Sequence, residues 1–146
     1  MTPDTLLREL ESILDRNFKA IGYTVLQRFG SPGIGAFITL ATRGIWVRVT
    51  SEYGDYMVDV STPQHPDEWH HAPELLLLVA DRAYTPGSVD VGKTVGDLDT
   101  CCGLVARNVD SFEDLLSASR RPDTLRRLEA MGKEIQKPLT DLIGKR

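Results

Sequence analysis

The chain has only two cysteines among its 146 residues, Cys101 and Cys102, and they are adjacent. Neighbouring thiols close a ring only under strain, and two are too few for a disulfide scaffold. Both are therefore expected to be reduced, as in the cytoplasm. Long apolar runs are missing as well. The longest, Leu75–Ala80, is far short of the ~20 residues a membrane-spanning helix needs. Residues 1–20 interleave Asp4, Arg8, Glu9, Glu11, Asp15, Arg16 and Lys19 with their apolar residues, which leaves no uninterrupted apolar segment for a secretory leader.

Chemistry-bearing motifs are equally scarce. The histidines are three, His65, His70 and His71, and no H-E-x-x-H order holds them. On a helix His71 and Asp67 would stand at i,i+4, a conceivable metal pair, but no third ligand can be placed. There is no G-x-S-x-G elbow and no supported Cys-His spacing. No carboxylate sits in a recognisably apolar setting that would raise its pKa. No metal, cofactor or catalytic residue is expected. One match by letter remains: Gly87 to Thr94 reads G-x-x-x-x-G-K-T. A phosphate-binding loop runs directly from a buried strand into a helix. Here six residues, 81–86, separate the apolar run from Gly87, Asp90 sets a carboxylate where phosphates would lie, and Gly96 makes a poor helix start. Physics weighs against nucleotide binding; whether the match is more than chance stays open.

What the chain does hold is an ordinary core composition, 41% apolar and 26% charged, enough for one folded domain over residues 1–146. Its formal charge of −4 is unevenly spread. Residues 1–50 carry +2, 51–100 carry −8, 101–117 carry −2 and 118–146 carry +4. The basic C-terminal segment lacks aromatics after residue 112, and the pI is near 5.3, so nucleic acid is not an expected partner.

The apolar spacing predicts a helix over 3–21, capped by Thr2 with Pro3 at its first position, ended by Gly22. Strands are predicted at Tyr23–Phe29, Ala36–Ala41, Ile45–Thr50 and Tyr56–Ser61. On the third, Ile45, Val47 and Val49 share one face, and Trp46, Arg48 and Thr50 the other. Turn residues at 30–33, 42–44 and 52–55 make these four an antiparallel meander. Residues 67–81 read as a helix carrying Trp69, though periodicity leaves Leu75–Ala80 open between helix and strand. Residues 84–96 read as a loop, 97–107 and 111–118 as short helices, the second capped by Ser111. A last helix starts at Pro122, with Leu125, Leu128, Ile135, Leu139 and Leu142 on one stripe and Pro138 interrupting it. Helix, strands, helices in that order is the α+β class: an antiparallel sheet of about four strands, the N-terminal helix and the C-terminal helices packed on one face.

The acidic block offers the best functional feature. The hairpin tip supplies Glu52 and Asp55 beside Tyr53, Asp59 follows on the return strand, and Asp67 and Glu68 begin the next helix. These carboxylates, with Tyr53, Tyr56 and Trp69 as aromatic anchors, suit a basic protein partner that associates fast under electrostatic steering.

The run Gly22-Tyr23, Phe29-Gly30, Ile45 to Gly54, Val58-Asp59-Val60 and Trp69 resembles small bacterial immunity-type proteins of polymorphic toxin systems. In those a leading helix precedes a meander, a charged glycine hairpin tip and a Trp-containing helix. The likeness covers residues 1–80. The tip has Tyr53 where the pattern carries a basic residue, so no site residue is transferred. What the resemblance implies is a bacterial cytoplasmic protein that neutralises a toxin by binding it. A secretion-chaperone-like protein, which is typically a dimer, is the alternative. A small metal-dependent or hydrolytic enzyme is a second alternative. The oligomeric state is left open.

Overall fold

The structure is a computed structural model and describes residues 2–80 and 91–131. It opens with helix α1, Pro3–Phe18, where the Thr2 hydroxyl accepts from the Thr5 amide at 3.2 Å and Pro3 occupies the first turn. Leu7, Leu10, Ile13, Leu14 and Phe18 fall on one stripe, and all five are buried. Gly22, at φ +82, turns the chain out of the helix end.

Five strands follow: β1 (Thr24–Ser31), β2 (Gly35–Thr42), β3 (Ile45–Glu52), β4 (Asp55–Thr62) and β5 (His65–His71). They lie in sequence order, each antiparallel to the next. The first four match the expected meander. The β3–β4 connection is a two-residue hairpin, with Tyr53 at φ 51 and Gly54 at φ 83, the left-handed pair whose twist suits such a turn. Alternation sends Ile38, Leu40, Ile45, Val47, Val49, Val58 and Val60 to one face, where each is wholly buried.

The fifth strand corrects the sequence reading. Residues 65–71 are a strand, so Asp67, Glu68 and Trp69 stand on β5 and not on a helix. The segment HPDEWHH has little β propensity. It is held by the unpaired edge of β4, through Asp59 opposite His71, Val60 opposite His70 and Thr62 opposite His65. Pro66 to Trp69 bulge out opposite the single residue Ser61. The helix starts only afterwards, as α2, Ala72–Ala80. That settles Leu75–Ala80 as helical, with Leu75 and Leu76 buried.

Helix α3 spans Val95–Arg107 and α4 spans Val109–Leu115. Gly96 does not prevent the first from starting early. Thr94 and Asp97 form a reciprocal capping box, each side chain bonded to the other's backbone amide at 3.0 and 3.3 Å, and this offsets the propensity cost of a first-turn glycine. The cap of α4 is Asn108, which leaves Ser111 inside the helix and not at its start. A last helical segment occupies 121–131, beginning one residue before Pro122. Its stripe residues Ile135, Leu139 and Leu142, like Pro138, lie outside the described residues, as do Gly87 to Asp90.

Helices α1 to α4 lie on one side of the sheet. α1 packs on β1 and β2, α3 on α1 and β4, α2 on β4 and β5, and α4 on β3. Cys101 and Cys102 form no disulfide and are buried in this layer, where burial pushes the Cys102 thiol well above its usual range. The fold is α+β, with helices on one face of a five-stranded antiparallel sheet. Among the described residues, no helix is long and apolar enough to cross a membrane.

Candidate functional site: the open face of the sheet

Strand alternation that buries one face must present the other. On β2, Phe37 and Thr39 point away from the helices. On β3 the same side carries Trp46, Arg48, Thr50 and Glu52, and on β4 it carries Asp55, Met57, Asp59 and Ser61. Register aligns Gln27, Thr39, Arg48, Asp59 and His71 in one row across all five strands.

In that row Asp59 is only 6% exposed. A buried carboxylate needs a partner, and His71 supplies it, with Nδ1 2.8 Å from Asp59 Oδ1. Arg48 leans the other way. Its guanidinium carbon lies 4.2 Å from the centre of the Trp69 ring, a cation–π contact on a half-buried tryptophan. The side chains of Leu26, Trp46, Arg48, Asp67 and Trp69 line a trough of about 520 Å³ across the middle of the sheet. Further along the face, Phe29 stacks on Phe37 with ring centres 5.4 Å apart.

The six residues expected to form one acidic surface separate. Glu52 and Tyr53 are exposed at the β3–β4 tip, Tyr53 by 74%. Asp55 stands 3.6 Å from Lys93 Nζ, and Asp59 is taken by His71. Asp67 faces the trough near the other end of β4, six residues along from Asp55 by register, about 20 Å. Glu68 belongs to the helix side, where it is ion-paired with Arg121; that contact holds its carboxyl below the usual range. The open face thus carries Glu52, Asp55, Asp59 and Asp67 against Arg48.

Of the expected anchors, Trp69 and Tyr53 are on the face or its rim. Tyr56 is not: it is buried on the helix side, its hydroxyl donating to Glu9 Oε1 at 2.9 Å. Burial, then the Glu9 carboxylate, pushes its pKa up to about 12. His71 and Asp67 cannot form the i,i+4 pair considered above, because four residues of extended strand span about 13 Å. Among the described residues, no three metal-ligating side chains come together.

The end of the Gly87–Thr94 match is visible. Lys93 reaches toward Asp55. The start of α3 already holds a carboxylate, Asp97, on the Thr94 amide, so the chain itself fills the place an anion would take.

Arg48, Trp46 and the Phe29–Phe37 stack are the site residues that the sequence reading did not single out, and His71, considered there as a metal ligand beside Asp67, stands instead against Asp59. The signal was present in the alternation of β3, which puts Trp46, Arg48 and Thr50 on the face opposite the aliphatic one. What could not be seen was that, among the described residues, no helix packs on this face. Comparison with protein-family models, with curated proteins and with solved structures finds no match to this chain.

Proposed function

We propose that this chain is a non-enzymatic, immunity-like binding module. It acts in the bacterial cytoplasm and neutralises a basic effector or toxin that docks on the open face of the sheet. The observation that carries the reading is the mixture on that face: aromatic rings at Phe29, Phe37, Trp46 and Trp69 beside the carboxylates of Glu52, Asp55, Asp59 and Asp67, with Arg48 as the one cation central to it among the described residues. Aromatic anchors in a trough supply affinity, and surrounding carboxylates steer and select a basic partner. The resemblance over residues 1–80, a span that includes the whole sheet, supports the same reading through its leading helix, meander and glycine tip, while Trp69 stands on β5 where that pattern has a helix.

The test begins with the reading frame beside this chain's gene. Its product is expected to be a secreted or toxin-like protein with a basic domain whose expression arrests growth. Co-expression of this chain should restore growth. The purified pair should bind with an association rate that falls steeply with salt. Charge reversal at Glu52, Asp55 and Asp67 together should cost at least tenfold in affinity while leaving the melting temperature near its original value. Unimpaired rescue by that triple variant would remove the face assignment. A harmless neighbour that does not bind would remove the immunity reading itself.

A further inference from the structure

Five of the six large apolar side chains most exposed to solvent lie at one side of the molecule. Val25, Leu26 and Phe29 are on β1, Ile34 is in the turn that follows, and Tyr53 hangs beside that turn, its backbone N–H donating to the Ile34 carbonyl at 3.2 Å. The sixth, Val95, is on α3. Strand β1 is also an edge of the sheet, and among the described residues nothing pairs with its outer side. It is eight residues long, and its first six are exposed. Edges of this kind are ordinarily blunted by charge or proline. β1 has no proline, its single charge, Arg28, is already neutralised by Glu11 of α1, and its one irregularity, the bulge at Leu26, leaves Gln27 to Ser31 in regular register.

From this edge we infer that β1 is a self-association surface: two copies of the chain pair β1 to β1 antiparallel about a two-fold axis and join their sheets into one. Neutrality favours a second copy over a foreign strand. Two-fold pairing sets each residue against its own symmetry mate, so an unneutralised charge would repel itself, and β1 presents none. Near the middle of the strand, Gln27 carries both a donor and an acceptor, so its amide is complementary to its own copy. The carboxylates of the open face are on β3, β4 and β5, away from this edge, so the acidic character of the chain does not oppose the approach.

Size sets the strength. Eight residues at ~3.3 Å each give an edge about 26 Å long, and with side chains on both faces it buries on the order of 500 Å² per chain, below the ~800 Å² of a standard interface. A reversible dimer, weaker than a standard-size interface would allow, is expected.

Sedimentation velocity of the full chain from about 1 µM to about 1 mM reads this directly. The expected mass climbs from one chain to two, and hydrogen exchange at the high end gains protection in β1 and not in β5. Val25→Lys and Leu26→Lys, each at an exposed side chain, should each move the midpoint at least tenfold to higher concentration. Val95→Lys, equally exposed but on α3, should leave it in place. Having two edge variants guards against one that fails to fold, as read by circular dichroism. A single-chain mass throughout the range overturns the inference. So does a dimer indifferent to both edge variants. Protection of β1 amides already complete at the lowest concentration would also overturn it, since another segment of the same chain would then hold the edge.

Discussion

The two edges of this sheet are built on opposite plans. β1 is long and nearly neutral, and presents apolar side chains outward. Beyond β4, β5 is irregular, with only three residues in register on β4, broken by Pro66 and lined with Asp67, Glu68 and three histidines. It is tied down by Asp59 to His71 on one face and Arg121 to Glu68 on the other. Where β5 stops short, Val91 and Gly92 bridge to Tyr56, with N–O distances of 2.8 and 2.9 Å, and cover more of β4. One edge strand is pinned by polar contacts, and the other, among the described residues, carries no partner on its outer side. An open edge of this length is a hazard that sequences usually avoid, so its retention marks the place where a partner strand fits.

That contrast can be broken most forcefully at Gly35, where β1 is hung on the sheet. Gly35 sits at φ +154, paired with Ser31 on one side and Glu52 on the other, and a Cβ there would lie 1.8 Å from the Ser51 carbonyl oxygen. Main chain, not a flexible side chain, stands in the way. Gly35→Ala should cost about 2–4 kcal/mol in denaturant melts and should strip hydrogen-exchange protection from β1 before β5. A loss under about 1 kcal/mol would show that the turn reorganises freely. At the other edge, Asp59→Asn keeps the shape and removes the charge that pairs with His71. It should cost about 1–3 kcal/mol and reverse the pattern, loosening β5 while β1 keeps its protection. Equal loosening of both edges would mean that the row across the sheet acts as one unit.

The smallest effect concerns acid. Burial holds the half-buried His70 of β5 below its usual 6.5, partly opposed by Glu68. As pH falls below 6.5 the unfolded chain takes up a proton that the folded chain still resists. The stability tied to a neutral His70 is therefore complete above 6.5 and is lost as pH falls through the lower folded-state value. Melting temperature should decline from about pH 7 to about pH 5, and His70→Gln should flatten the decline. A slope unchanged in that variant would assign the acid sensitivity elsewhere.

Much of this architecture was legible, for identifiable reasons. The stripe on α1, the alternation of β3 and β4 and the glycine turns are local signals, and the structure follows them. β5 was hidden because its residues have no strand preference of their own; it exists because β4 offers a ladder and Trp69 finds a place under Arg48. The start of α4 was misplaced because Asn108 makes no side-chain capping bond there, while Ser111 and the acids behind it imitate a cap. As for the site, each carboxylate was visible singly. Their distribution depended on register, which parts Asp67 from Glu68 across β5 and sets Asp59 against a histidine.

The side-chain amide of Asn17 donates to the Ile13 carbonyl and to the Asp99 carboxylate, both at 2.9 Å, and Arg16 reaches the same carboxylate at 3.2 Å. These two ties join positions more than 80 apart, whereas every strand pairs with its immediate successor in sequence. Kinetically the molecule therefore divides into a fast and a slow part. The sheet and α1 close shorter loops, and the seating of α3 on α1 must wait for a closure of 82 positions between Asn17 and Asp99. The Asn17–Asp99 contact is a late latch: loosening it should hasten unfolding and leave the folding rate almost untouched.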